Sequence, residues 1–242
     1  MLDNTIARFL RTLGLKVNRI SAKTDANTQI LKSIERVGAK NVLDIGANTG
    51  QFAKGLFSAG YRGDVVSFEP LSTAHRTLLL NAQGVSNWTI HPRTAIGNSE
   101  GNIGINIAGN SESSSVLPML KLHSDASKGS SYTDSEVTAI TRLDSVAPQY
   151  LAYGVDYFLK IDTQGFEWEV LEGGSETLRH AAGIICEVSL APLYAGAHHW
   201  MEILSRIELS GFTLWALQPN FIDLRTGQTL QTDLIFLNNG KI

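Results

Sequence analysis

The sequence predicts an α/β fold: one doubly wound, mostly parallel sheet of seven strands, with helices on both faces and an antiparallel edge. Two observations carry this expectation. The short runs NVLDIG, DVVSFEP, DYFLKID and GIICEVS are dense in β-branched and large apolar residues, as strands buried on both faces must be. Stretches of helical period lie between them, and the first strand–helix units recur at a spacing of about 25 residues. At 242 residues the chain is long enough for one large domain, and no Pro/Gly/Ser linker or charge run divides it.

The elements follow in order. Residues 1–38 read as a helical segment. In MLDNTIARFLRTLGLKVNRI, Ile6, Phe9, Leu10 and Leu13 recur at helical spacing. The stretch lacks a long apolar core and a small-residue cleavage site, so it does not read as a signal peptide. Three roles are open for it: packing on the domain or on a homodimer partner, weak contact with a membrane surface, or capping of a substrate. A second helix is expected from Thr24 to Val37, capped by Thr24 or Asp25, striped by Ile30, Leu31, Ile34 and Val37, and stopped at Gly38.

The main domain, residues 39–242, opens with the strand NVLDIG and the helix GQFAKGLFSAG. DVVSFEP is a second strand, broken by Pro70; STAHRTLLLNAQG is a helix ending at Gly84, and NWTIHPRTAIG holds a third strand region. From 98 to 134 the pattern changes to a short hairpin and a polar insertion rich in Ser, Gly and Asn, read as a lid or an excursion. Regular structure returns with EVTAITRLDSV and the central strand DYFLKID. The helix FEWEVLEGGSETLRHA, the strand GIICEVS and the helix HWMEILSRIELSG follow. FTLWALQ and TDLIFLN close the chain as an antiparallel edge pair.

Composition excludes several classes. With 18% charged residues and a formal net charge of −3, the chain shows no basic stripe of a nucleic-acid binder. No apolar run approaches the roughly 20 residues that span a bilayer. The single cysteine, Cys186, sits in apolar GIICEV, reads as a packed strand residue and fits a reducing cytoplasm.

In a doubly wound sheet the first strand–turn–helix faces the ligand. Here it reads Gly46-Ala47-Asn48-Thr49-Gly50. A dinucleotide loop requires G-x-G-x-x-G, and Asn48 stands where its middle glycine belongs. A phosphate loop requires Lys-Ser/Thr after the glycine, and none follows Gly50. Asp44, just upstream, would repel a pyrophosphate and favour a cation. S-adenosylmethionine carries a sulfonium and an ammonium but no phosphate. Asp44 could receive its ammonium directly or through water, the backbone from Gly46 to Gly50 leaves room for its methionine end, and Glu69 could accept both ribose hydroxyls.

Together VLDIGANTGQF, VVSFEP, TAIGN, SSSVL and FLKIDTQGFEWEVLEGG resemble the FkbM-type S-adenosylmethionine-dependent methyltransferases, over roughly residues 40 to 237. The resemblance implies a class I methyltransferase (Rossmann-like) fold and O-methylation of hydroxyls on sugars or natural products. It places Asp44, Gly46, Asn48 and Gly50 at the methionine end of the cofactor and Glu69 at the ribose. Pro70, Leu71 and Ala95 with Ile96 fall at the adenine, and Ser113 to Ser115, with Ser114 at the centre, close over it. One departure stands out: the family often has an acid in KIDVEG where this chain has Gln164 in KIDTQG.

Methyl transfer to a hydroxyl is an in-line displacement that needs alignment, exclusion of water and a proton acceptor. Asp162, ending the fourth strand, is the first candidate base, and Glu187, closing IICE, the second. Lys160 could neutralise either, or equally contact substrate. Tyr194, His198 and Trp200 lie after the strand ending in Glu187 and are the expected acceptor contacts; His199 and His123 are equivocal. Trp88, Trp168 and Trp215 read as core or sheet-covering residues, and His75, His91 and His180 as structural. A metal held by Asp162, Glu187 and a histidine is chemically conceivable, but no D-D-N-like cluster is readable and no metal ligands are assigned. The expectation is a cytoplasmic O-methyltransferase of a sugar, glycolipid or secondary metabolite. An NAD-type oxidoreductase and a non-catalytic cofactor-binding protein are the alternatives.

Overall fold

The structure, a computed structural model, describes residues 4–242, with side chains of the first helix described from Arg8. The first helix, α1 (Asn4–Thr12), ends in a left-handed Gly14 (φ +72°), with Leu15 N–H donating to Leu10 O. Phe9 and Leu13 are exposed rather than covered by the domain; the side chain of Ile6 lies outside the described residues. The second helix, α2 (Ala26–Arg36), starts where Asp25 accepts the Thr28 N–H, and it buries Ile30, Leu31 and Ile34 as its stripe foretells.

The chain continues through β1 (Asn41–Ile45), α3 (Gln51–Ala59), β2 (Asp64–Phe68), α4 (Ser72–Ala82), β3 (Trp88–Ile90) and β4 (Ala95–Gly97). Next come β5 (Gly101–Ala108), α5 (Lys121–Ala126), β6 (Tyr132–Arg142), a short α6 (Leu143–Val146) and β7 (Tyr157–Ile161). The remainder is α7 (Glu167–Gly173), α8 (Ser175–His180), β8 (Gly183–Ser189), α9 (Trp200–Leu209), β9 (Phe212–Ile222) and β10 (Thr229–Asn238).

Seven strands form the main sheet in the order β3-β2-β1-β7-β8-β10-β9, parallel except for β10, which runs antiparallel to both β8 and β9. The expected architecture is therefore present. Two details differ from expectation. The region 98–134 is more than a short hairpin and a loop: its β5 pairs antiparallel with the long β6, α5 lies between them, and β4 joins the pair in a separate three-stranded sheet. Its polar composition concealed a strand pair with one face open to water. The helix after β7 is two helices, interrupted at Gly174, where a Cβ would meet the Leu143 side chain at 2.9 Å.

Period-two alternation sorts each strand between two cores. Leu43, Ile45, Leu159 and Ile161 pack with Ile203 and Ile207 on one face; Val42, Val65 and Phe158 pack with Ile30, Ile34 and Leu56 on the other. Full burial of each such side chain contributes about 1.5–3 kcal/mol. Asp44 and Lys160 interrupt the second of these faces at the carboxyl ends of their strands.

Candidate functional site

Strand order reverses between β1 and β7: one neighbour sequence runs outward through β2 and β3, the other through β8. A crevice forms beyond the carboxyl ends of the strands at such a reversal. Here it is a cleft of about 500 Å³, lined by the loop after β1, the ends of β2 and β7, the segment 110–116, the first turn of α2, and β8 to β10.

The floor is set by register. Ser67, Asp44 and Lys160 occupy one rung across β2, β1 and β7. Their side chains therefore meet. Ser67 Oγ donates to Asp44 Oδ2 at 3.0 Å, and Lys160 Nζ lies 3.2 Å from Asp44 Oδ1. Lys160 also donates to Gly46 O at 2.8 Å and approaches Asp162 Oδ2 at 3.4 Å. Burial alone would lower the Lys160 pKa, but the carboxylates of Asp162 and Asp44 outweigh it and hold the ammonium above its ordinary value. Burial raises the Asp44 carboxyl, with the Lys160 charge opposing. Asp44 is fully buried beneath this lysine and does not line the cleft. Of the two expected routes to a cofactor ammonium, direct or through water, the burial of Asp44 beneath Lys160 leaves the indirect one.

The loop above the floor is shaped by backbone. Gly46 (φ +78°) passes so close to β7 that a Cβ would fall 1.8 Å from Asp162 O. Asn48 adopts φ +47°, a conformation that asparagine tolerates, and its N–H donates to Glu69 Oε2 at 2.7 Å. Glu69 Oε1 accepts the Leu71 N–H at 2.7 Å. Burial pushes Glu69 up to about 7 against these two donors. Gly50 (φ +90°) starts α3 where a Cβ would strike Trp88 and Leu78, and it is not among the residues that line the cleft.

The second wall is apolar and closed by serines. Pro70, Leu71, Ala95, Ile96 and Val116 line it together with Ser113 to Ser115. Ser114 Oγ accepts the Ala108 N–H at 2.9 Å, and Ser115 Oγ donates to Gln164 O at 2.6 Å. The serine segment is therefore tied to β5 on one side and to the loop after β7 on the other.

The third wall is a web of carboxyls and amides. Gln164, in a left-handed conformation (φ +55°), donates from Nε2 to Asp162 Oδ1 at 2.8 Å and to Glu187 Oε2 at 2.6 Å. Its Oε1 accepts from Tyr194 Oη at 2.7 Å. Glu187 also accepts from Asn220 at 2.7 Å and Gln231 at 2.8 Å. Glu187, Asp233 and Gln218 share a second rung across β8, β10 and β9. Burial and the carboxyls of Asp162 and Asp233 push Glu187 well above the ordinary range, and burial with Asp162 raises Asp233 to about 7. The oxygens of Glu187 are already engaged by the amides of Gln164, Asn220 and Gln231, which leaves it less free than Asp162 to reach an acceptor hydroxyl. Asp162, with its side chain 31% exposed in the cleft, keeps the geometry of a base candidate.

Two of the expected acceptor contacts lie elsewhere. His198 stacks on Trp168 (centroids 4.2 Å apart) and reaches Glu202, and Trp200 opens α9 and packs on the core of the opposite sheet face. The chain turns outward after β8 to begin that helix, carrying both away from the cleft. Tyr194 is nearly fully buried, its hydroxyl held among Gln164, His123 and Ser113 O, so it braces the wall from behind. Asn220, Gln231 and Asp233 were missed; a lone acid inside apolar TDLIF was the available signal.

A family model described as the methyltransferase FkbM domain matches residues 44–214. No curated protein matches the chain. Among solved structures, the chain is similar to an S-adenosylmethionine-dependent methyltransferase from Aquifex aeolicus, at 13% identity and TM-score 0.45, covering 98% of this chain and 99% of that one. It is similar to a TehB-like methyltransferase from Corynebacterium glutamicum (13%, TM-score 0.42, covering 97% and 96%) and to an rRNA methylase from Streptococcus thermophilus (12%, TM-score 0.45, covering 87% and 95%). The family match takes in the loop after β1, Glu69, the serine segment, Asp162 and Glu187. The chain belongs to the FkbM methyltransferase family and is an S-adenosylmethionine-dependent methyltransferase.

Proposed function

We propose that the protein methylates a hydroxyl of a sugar, glycolipid or secondary metabolite, using S-adenosylmethionine, in the cytoplasm. The observation that carries this reading is the junction at Asp162, where a backbone-built, partly apolar wall meets a wall of carboxyls and amides. The cleft fits the cofactor chemically. The glycine at 46 lets the loop pass directly against the main chain at Asp162 while lining the cleft, and the only lysine or arginine among the described lining residues, Lys160, is already paired with Asp44 and Asp162. A pyrophosphate would find no cation of its own there.

S-adenosylmethionine supplies an electrophilic methyl group on a sulfonium. Glu69 holds the ribose hydroxyls: each of its oxygens accepts one backbone N–H and keeps a lone pair for a hydroxyl donor. Pro70, Leu71, Ala95 and Ile96 exclude water from the adenine, and Ser114 anchors the segment that covers it. Gly46 and Asn48 shape the methionine end. Lys160 fixes Asp162 through its charge, and Asp162 accepts the proton of the acceptor hydroxyl. The amides of Asn220 and Gln231, with Glu187 and Asp233, offer donors and acceptors to a polyhydroxylated acceptor. The cleft lining itself gives an RNA acceptor little to bind, since a phosphate backbone calls for lysine and arginine and Lys160 is paired.

The test is direct. Calorimetric titration with S-adenosylhomocysteine should show binding, and purified protein with S-adenosylmethionine and a panel of glycosides and glycolipids should release S-adenosylhomocysteine with at least one. Tight NAD(H) binding without S-adenosylhomocysteine binding would sink the reading.

A further inference from the structure

The segment before α2 has two properties that the cleft does not use. Between Arg8 and Thr24 it carries Arg8, Arg11, Lys16, Arg19 and Lys23 and no acid, in a chain whose formal net charge is −3. The same stretch holds Phe9, Leu13, Leu15, Val17 and Ile20, all exposed, Phe9 at 62% and Ile20 at 78%. At 100° per residue, Phe9 and Leu13 fall on one side of α1 and its Gly14 terminus, with Arg8 and Arg11 on the other. Beyond Gly14 the chain has no regular structure as far as Ile20, and Leu15 and Val17 alternate with Lys16 and Asn18. Five large apolar side chains and five cations thus share one short strip of surface.

The strip has a fixed exit. Thr24 Oγ1 donates to Arg19 O, Asp25 caps α2, and Gln218 Nε2 donates to Ala26 O at 3.2 Å and Gln29 Oε1 at 2.8 Å. Ala26 and Asn27 themselves line the cleft, on the side of Gln218 and Asn220. Whatever binds the strip is therefore held a few residues from the wall assigned to the acceptor.

We propose that residues 8–23 are a membrane-surface anchor, docking on an anionic lipid bilayer and keeping the cleft beside it. An in-plane amphipathic segment needs apolar side chains to enter the acyl boundary and cations to meet the headgroups, and both are here. Juxtamembrane lysines and arginines each strengthen attachment to anionic lipid about fivefold. An RNA would use the cations but would leave Leu13, Leu15, Val17 and Ile20 in water. A second copy would bury the apolar residues but offers no reason for five cations with no acid between residues 8 and 24. The proposal does not depend on the acceptor's identity.

Co-sedimentation of the full chain with vesicles of phosphatidylcholine, and of phosphatidylcholine mixed with phosphatidylserine, tests it. The protein should pellet with the anionic vesicles and be released by high salt. Replacing Arg8, Arg11, Lys16 and Arg19 by Gln should weaken pelleting about fivefold per charge, and Phe9→Ala with Leu13→Ala should weaken it separately. Both variants should keep wild-type circular dichroism and S-adenosylhomocysteine affinity, because none of these residues lines the cleft. Wild-type protein remaining in the supernatant with both vesicles would overturn the anchor, as would undiminished pelleting of the four-Gln variant. Retention of single-stranded RNA without vesicle binding would assign the strip to nucleic acid. A concentration-dependent dimer dissolved by the Phe9/Leu13 variant, without vesicle binding, would assign it to a second copy.

Discussion

The two halves of the cleft are made in different ways. The half assigned to the cofactor is built largely from backbone: the loop at Gly46 pressed against Asp162 O, the turned Asn48 N–H, and the Glu69 carboxyl tied to main-chain donors two and 21 residues away. It lies inside the family-matched stretch, 44–214. The half assigned to the acceptor is built from side chains, and Gln218, Asn220, Gln231 and Asp233 all fall beyond that stretch. A main-chain cradle recognises groups common to every reaction of its kind; a side-chain web can be altered residue by residue. The proposed acceptor wall thus draws Gln164 and Glu187 from within the family-matched stretch and its remaining side chains from beyond it.

Substitutions can break or sharpen this division. The largest effect is expected at the junction. Asp162→Asn should lower turnover about 10²–10⁴-fold, the usual worth of a general base, with S-adenosylhomocysteine affinity nearly retained; undiminished turnover would remove the base assignment. Glu69→Ala should weaken S-adenosylhomocysteine binding about 10–100-fold, by roughly 1.5–3 kcal/mol, as lost hydrogen bonds to a charged group would. The calorimetric titration reads it directly, and unchanged affinity would remove the ribose assignment.

The buried carboxyls predict a pH dependence of stability. Glu69, Glu167 and Asp233 are each raised to about 7, burial being the main cause, from ordinary values of 4.5, 4.5 and 3.8. Between about pH 4 and 7 the folded chain holds protons that the unfolded chain has released, so stability falls as pH rises, by up to about 1.4 kcal/mol per pH unit for each group. Thermal unfolding without ligand should show the midpoint dropping across this window, and Asp233→Asn should flatten the fall. A midpoint that rises toward neutrality would mean that these carboxyls are ionised in the fold. The same Asp233→Asn variant should raise the acceptor KM about tenfold while leaving cofactor affinity alone. A loss of cofactor affinity there would erase the boundary between the halves. The smallest effect is expected for His198→Ala, which lies outside the cleft and should leave KM and kcat within twofold by the S-adenosylhomocysteine assay, near the ordinary scatter of neutral surface changes.

What the sequence made legible follows the same boundary. Val42 to Ile45 and Val65 to Phe68 announce buried strands, and Asp44, Gly46 and Glu69 mark strand ends by local order alone. Four side chains resisted this reading. Asp44 points down to Lys160, because the two share a rung that only the β1–β7 register brings together. Asp233 faces Glu187 across 46 positions of chain through an antiparallel pairing whose register no local motif records. Trp200 and His198 follow the correct strand, yet the capping of α9 by His199 and Glu202 takes them to the other side of the sheet. Gln164 drew notice as a departure from an expected acid. Its amide does what an acid could not: it donates to both Asp162 and Glu187 while accepting from Tyr194.

The reversed direction of β10 has a consequence for the order in which the molecule comes into being. A ribosome works from the first residue to the last, at about 5–20 residues per second. Glu69, the serine segment and Asp162 are all polymerised before Gln231 and Asp233, which trail Asp162 by roughly 70 residues. Because β10 enters the sheet from the opposite end, these late residues land beside the tips of strands made seconds earlier. During synthesis the residues assigned to the cofactor are therefore made first, and the late-made residues assigned to the acceptor join them last.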